Sequence, residues 1–551
     1  MIKRGKAKTL ADKVHIFYEK FQRKDGQKIG QILLDDRLIL SQLVTNSPAD
    51  NALRYVWANR SLAQVSHSNS SAILSLGGAP KADLLARKAS LIMRRRLDLA
   101  VPSEISNQED LDKFLRRTRM SRLVIKQNYP SDNEEFSWVK KFNFGTIKLE
   151  IANKKIDYDV IESKRCLANL CNKPESWIEH AIDKYLRFVL RKNDVILSEK
   201  EIIKSVEHIK MLTSSLLIPS KVFKGLISSL IDEIKKLTKE NFFPVFKFPY
   251  SVSGFGVHYP KRKDGSYDIF ELQQALKNDQ VFLIYLAKAL SKNGQKIDQK
   301  ILKRSIEVGG IVLQKHISGS EHSAGYFKPL PSQAERFFLG INNLVVTDVL
   351  VEGTDHFGNV LCYESAYLSE ILRNTLFEDQ PGLFHLSIEL ILYLMYLDQK
   401  RVKSPKDFKF ICVEDFGIQF IINKQGREVG LVEFNGRTPS PNFNHFHLLS
   451  KYNLDPSGHP AVPMKFVLFT NSIIISAKEF CNEENNLAEF VDGIIKKVKH
   501  KYGNRCELVS FQIIDDNLTI NYGIFFKSKT KQKVAVDLKN IKKFFLSFAQ
   551  R

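Results

Sequence analysis

GIQFIINKQGREVGLVEFNGRTPSPNFNHFH, residues 417–447, decides how this chain reads. Two apolar runs, 418–423 and 429–434, fold about a turn at 423–426, where the composition is polar and carries a glycine. The second run passes into Glu433, Asn435 and Arg437 at alternate positions. Side chains of a strand point to opposite faces in turn, so an extended backbone puts all three on one face. A carboxylate and an amide oxygen are hard ligands suited to Mg²⁺, which keeps water and phosphate oxygens as its other ligands. An arginine beside them can clamp a phosphoryl group in transfer. A solvated strand edge is the plain alternative.

Two upstream stretches carry complementary chemistry. In VFKFPYSVSGFGVHYP, residues 245–260, a strand brings in Lys247, and a loop with Ser251, Ser253, Gly254 and Gly256 turns back. Glycine lets backbone N–H groups approach phosphate oxygens without side-chain obstruction. The lysine adds a point charge. The stretch holds no G-x-x-x-x-G-K-[ST], and Tyr259 stands where a dinucleotide fingerprint needs its third glycine. By itself it is equally a β-hairpin turn. In IVLQKHISGSEHS, residues 311–323, a β-branched run ends in a polar turn. Its backbone at Lys315–Ile317 offers an edge to an adenine, and Glu321 suits ribose hydroxyls. A strand followed by a glycine turn accounts for it as well.

The rest of the chain sets bounds. At roughly 150 residues per domain, 551 residues suggest about three domains. With 43% hydrophobic residues the chain can bury sizeable cores, which excludes wholesale disorder. Lys and Arg number 83 against 61 Asp and Glu, a net charge of +22 that favours anionic partners without choosing among them. Six cysteines are too few for a disulfide framework and point to a reduced compartment. Cys166 and Cys171 read as helix packing rather than a zinc site. The opening MIKRGKAK is basic with no apolar segment after it, so no signal peptide is expected. The greasiest stretch, 384–397, contains His385, Ser387 and Glu389 and is too short to span a bilayer. A cytoplasmic protein with no membrane partner is expected.

Periodicity places helices over 82–99, 177–190, 198–214, 222–237, 269–278, 279–291, 384–397, 487–502 and 536–545. Ser198 is the expected N-cap of the third, with Glu199 and Glu201 in its first turn. Strands are expected at 145–151, 245–249, 310–316, 344–351, 360–363, 408–413, 418–423, 429–434 and 465–475, with more within 508–526.

Taken in order, the three stretches resemble the ATP-grasp superfamily of carboxylate–amine ligases. That family runs from a strand with lysine and a glycine-rich flap, through E-x-x-I-x-G-x-E, to a D-x(n)-G-x(n)-E-x-N hairpin, often with Arg two residues later. The resemblance covers residues 198–447, a little under half of the chain. It implies ATP and Mg²⁺ as cofactors. Lys247 would contact the phosphates under a flap holding Ser251, Ser253, Gly254 and Gly256. Gln314 would begin the hinge, Lys315 and Ile317 would hold the adenine through backbone atoms, and Glu321 the ribose. Glu433 and Asn435 would hold Mg²⁺, with Gln419 standing where the first metal carboxylate is expected. Arg437 would face the γ-phosphate and an acyl phosphate, acting with Lys247 in catalysis. A second phosphate lysine starts the helix before the turn at Pro219, for which Lys204, or else Lys200, is the expectation. The end of the opening stretch, RTPSPNFNHFH at 437–447, is similar to the branch with a preATP-grasp domain, which includes peptide ligases.

The resemblance implies an α/β (α+β) fold with an N-terminal preATP-grasp-like domain at 1–197, a small lobe at 198–315 and a large lobe with a C-terminal extension at 316–551. The expected enzyme joins a small-molecule or peptide carboxylate to an amine, with a homodimer as the candidate assembly. Two other readings stay open: an ATP-grasp-like protein that binds nucleotide without turnover, marked by Gln419, and a basic nucleic-acid-binding protein, which the charge alone would explain.

Overall fold

The computed structural model describes residues 37–42, 72–76, 98–100, 107–118, 122–126, 143, 145, 148–151, 160–161, 163–192, 196–249, 257–262, 266–290, 298–327, 343–352, 355–362, 371–378, 381–408, 415–423, 425–435, 466–476, 484–503, 506–514, 517–527, 540, 543–544 and 547–548. Strands β1 (Arg37–Gln42), β2 (Ala72–Leu76), β3 (Asp98–Ala100), β4 (Arg122–Lys126) and β5 (Lys148–Ile151) form a parallel sheet in the order β3-β2-β1-β4-β5. Parallel neighbours need crossovers, and helix α1 (Gln108–Thr118) lies between β3 and β4 in the chain. The helix expected over 82–99 lies outside the described residues, except that 98 and 99 belong to β3.

Next come α2 (Lys164–Leu170), α3 (Glu175–Lys192) and α4 (Glu199–Leu216). Ser198 caps α4 as expected: its hydroxyl accepts from the Glu201 N–H, while the Glu201 carboxylate accepts from the Ser198 N–H. Two of the helix's orphan donors are thereby satisfied. A second sheet is antiparallel, in the order β6-β9-β7-β8, from β6 (Ser220–Phe223), β7 (Pro244–Lys247), β8 (Val257–His258) and β9 (Ile311–Lys315). Helices α5 (Ile227–Lys239), α6 (Ile269–Ala275), α7 (Asp279–Leu290) and α8 (Gln299–Arg304) share one apolar core with it, in which Leu230 and Ile234 pack with Phe246, Phe282 and Leu313. The helix expected from 222 begins five residues later. Val222 and Phe223 pair instead with Val312 and Ile311, so cross-strand hydrogen bonds override local periodicity.

The third sheet has eight antiparallel strands in the order β14-β13-β10-β11-β12-β15-β17-β16. They are β10 (Ser320–Phe327), β11 (Asn343–Glu352), β12 (Asp355–Cys362), β13 (Asp415–Asn423), β14 (Glu428–Asn435), β15 (Phe466–Ser476), β16 (Cys506–Ile514) and β17 (Asn517–Lys527). Helix α9 (Pro381–Asp398) is apolar on all sides, and every residue from 383 to 396 is buried. Such a helix belongs in a core. Here it packs in one cluster with α2, α3 and α4 and with Ile418, Phe420, Leu431 and Phe434 of β13 and β14. Among the described residues no helix is long and apolar enough to cross a membrane. Helix α10 (Glu484–Tyr502) lies between β15 and β16 in the chain. The strand expected at 408–413 and the helix at 536–545 lie outside the described residues, apart from isolated positions.

Candidate functional site

The second and third sheets meet through one buried lysine. Lys247 ends β7, is 2% exposed, and donates from Nζ to the carbonyl oxygen of Val432 on β14 at 3.1 Å. That carbonyl is accessible because β14 carries a bulge. Gln419 of β13 stands opposite Glu433 while Phe420 stands opposite Leu431, so Val432 is the extra residue. A bulge leaves its extra residue out of the ladder and shifts the side-chain alternation by one. Val429 and Leu431 face the core before it, and Phe434 after it. Glu433 and Asn435 therefore turn to the other face, which they share with Gln419. Without the bulge both would enter the core alongside Leu431.

Lys164, the first residue of α2, comes to the same place. Its Nζ lies 3.1 Å from Glu433 Oε2, and the two side chains are 5% and 12% exposed. Its backbone N–H donates to the Pro249 carbonyl at 3.0 Å, which ties α2 to the segment after β7. A lysine in the first turn of a helix opposes the macrodipole, so the Glu433 carboxylate supplies compensation that the helix does not. Glu321 on β10 completes a group of four charges from four elements. Burial pushes the Lys247 ammonium down to about 8; Glu433 acts against this, Lys164 adds to it, and Glu321 again opposes it. Burial, then Glu433, push the Glu321 carboxyl up, while Lys247 and Lys261 hold it down. Two ammonium groups and two carboxylates withdrawn from water are costly unless a function needs them. Their arrangement suits a polyanion that arrives with its own counter-cation.

The hinge stretch lies beside this group. Gln314 is buried on β9. The Lys315 N–H donates to the Pro219 carbonyl at 2.8 Å and the His316 N–H to the Phe243 carbonyl at 2.8 Å, so neither is available to a base. Pro219 has no N–H to return to Lys315. Of the Lys315 backbone, the carbonyl oxygen is thus the group left for a base amino group. Ile317 packs toward β14: a Cβ on Gly430 would stand 2.8 Å from Ile317 Cδ1 and 2.7 Å from Ile218 Cγ1, so only glycine fits without a shift. The Tyr259 and His316 rings lie tilted by 45° with centroids 4.7 Å apart, and Lys261 Nζ is 5.6 Å from the Tyr259 centroid.

Lys204 and Lys200 are exposed on α4 and are not among the charges that act on Lys247 or Glu321. The lysine brought to the group is Lys164, which the sequence reading missed. Its signal was a cation where a helix start prefers an anion. Ser251, Ser253, Gly254, Gly256 and Arg437 lie outside the described residues. Among the described residues no cluster of three or more His, Cys, Asp or Glu could hold a metal. Around the bulge, the β13–β14 face brings the Glu433 carboxylate together with the amides of Gln419 and Asn435. That set fits a single Mg²⁺ that draws its other ligands from phosphate and water.

No family model matches this sequence and no curated protein matches it. Among solved structures, the ADP complex of purK, N5-carboxyaminoimidazole ribonucleotide synthetase, aligns over 94% of this chain and 98% of its own, with 8% identity and a TM-score of 0.44. Biotin carboxylase from Campylobacter jejuni, in a β,γ-ATP complex, aligns over 92% of each chain with 10% identity and a TM-score of 0.41. An L-amino acid ligase from Bacillus licheniformis aligns over 92% of this chain and 97% of its own, with 8% identity and a TM-score of 0.39. These are likenesses; the functional reading rests on the chain's own buried charges.

Proposed function

We propose that this chain is an ATP-dependent carboxylate–amine ligase of the ATP-grasp kind. The observation that carries this reading is the meeting of Lys247, Lys164, Glu321 and Glu433 between the second and third sheets. On this reading the triphosphate lies against Lys247 and Lys164, and the base amino group reaches the Lys315 carbonyl. Glu321 accepts from the ribose, and the segment carrying Ser251, Ser253, Gly254 and Gly256 covers the phosphates. Glu433, Asn435 and Gln419 hold the cation. Bound there, Mg²⁺ supplies charge neutralisation for phosphoryl transfer. The acid's carboxylate attacks the γ-phosphorus and ADP leaves. The amine then attacks the acyl carbon, loses a proton and expels phosphate. The side chains position and neutralise, and no covalent protein intermediate is required. Arg437, two residues beyond Asn435, is assigned to the γ-phosphate. The acid and amine are small molecules or peptides.

One observation favours a second reading. Opposite Glu433 stands Gln419, not a second carboxylate, and a site holding a single cation could bind nucleotide without turning it over. Incubation with γ-labelled ATP and panels of carboxylates and amines separates the two. Phosphate and amide released together, each dependent on both substrates, support the ligase. Nucleotide binding with no ADP release from any pair supports the binding protein.

A further inference from the structure

The ligase reading gives Lys164 to the phosphates and Glu433 to the cation, yet in the structure these two side chains hold each other. Their pairing joins the first residue of α2 to the carboxylate that stands opposite Gln419 on the β13–β14 face, with Nζ and Oε2 3.1 Å apart. The group assigned to the cation is thus already held by a cation of the protein. Gln419 and Asn435, beside it, bring no charge. With Lys164 in place, the face offers an arriving divalent ion no net negative charge. Lys247, 3.1 Å from the Val432 carbonyl next to Glu433, adds a second repelling ammonium.

We propose that Lys164 and the divalent cation compete for Glu433, so that the protein takes up its cation only together with a polyphosphate. This rests on the ligase reading of the site and deepens it. A triphosphate gives Lys164 and Lys247 new partners. As Lys164 turns to a phosphate oxygen, Glu433 is released to the cation that the same phosphates carry. The exchange keeps every buried charge compensated. A free divalent ion would instead have to expel Lys164 with no anion to receive it.

Mn²⁺ serves as the probe, since its free and bound forms are distinguished by electron paramagnetic resonance. Wild-type protein without nucleotide should bind Mn²⁺ no more tightly than millimolar. Lys164→Met keeps the length of the side chain and removes its charge; it should bind free Mn²⁺ at least tenfold more tightly, and Mn²⁺ should raise its melting temperature but not that of the wild type. Lys164→Arg should behave as wild type, and adding Glu433→Gln to Lys164→Met should abolish the gain. Tight Mn²⁺ binding by the wild type without nucleotide would overturn the proposal, as would a folded Lys164→Met protein with no gain. If Lys164→Met does not fold, the same titration on Lys164→Gln and the wild-type titration decide it. Metal-free ATP binding by the wild type is measured in parallel. If neither ATP nor its Mn²⁺ complex binds, the ligase reading fails; if they bind and the variants show no gain, the competition alone fails.

Discussion

Lys247 and Val432 stand 185 positions apart in the chain, and the ammonium of the first donates to the carbonyl of the second at 3.1 Å. One contact therefore fixes the end of β7 in the second sheet against the bulge of β14 in the third. Replacing Lys247 with Met fills the same space without the charge. The fold, followed by circular dichroism, should persist with a lowered denaturation midpoint, because the substitution removes a cation that compensates the buried Glu433 and Glu321 carboxylates. Nucleotide affinity, followed by calorimetry, should fall by about 3 kcal/mol, roughly two decades in Kd.

The same ammonium predicts a pH dependence. Burial holds Lys247 down to about 8, and only its protonated form attracts phosphate. The affinity of the free protein for ATP should be level below about pH 8 and fall roughly tenfold per unit above it. In Lys247→Arg, which stays charged, that alkaline limb should be absent.

A different titration governs stability in acid. His385 of α9 is buried, and burial pushes its imidazole from 6.5 down to about 4. Its folded value lies below its unfolded one, so between these limits the unfolded chain binds more protons and stability drops as pH falls. The loss begins near pH 6.5 and reaches about 3 kcal/mol by pH 4. Denaturant midpoints for His385→Leu should show a flatter acid limb; an unchanged slope would rule this group out as its source.

Tyr185 donates to the Glu389 carboxyl in the middle of the large core at 2.5 Å, and both residues are fully or almost fully buried. Tyr185→Phe removes the donor and should destabilise the chain by about 1–3 kcal/mol. Nucleotide affinity should not change, since neither residue acts on Lys247 or Glu321.

Local signals carried much of the fold. Ser198 announces α4 as its N-cap with Glu199 and Glu201 in the first turn, and the cap forms where expected, closed by the Glu201 side chain as a capping box. The runs around 418–423 and 429–434 announce β13 and β14, and the turn between them is closed by the Asn423 side chain accepting from the Gly426 N–H. What did not show was non-local. Val222 and Phe223 fit a helix by period, yet β9 draws them into a strand. The bulge at Val432 has no composition signature, because it is set by register against β13. It alters which residues share a face with Glu433 without altering the alternation of Glu433 and Asn435. Lys164 lies outside the three stretches that carry the chemistry, and Lys204 looked better placed because it sits on a long helix just before Pro219. Sequence order does not reveal that α2, with α3 and α4 still to come, already starts at the buried charges.

The most direct measurement is a crystal structure with ADP, Mg²⁺ and phosphate bound. The account predicts phosphate oxygens within about 3 Å of both Lys247 Nζ and Lys164 Nζ, with Glu433 moved from Lys164 to the cation. Nucleotide bound elsewhere, with Lys247 still on the Val432 carbonyl and Lys164 still on Glu433, would contradict it.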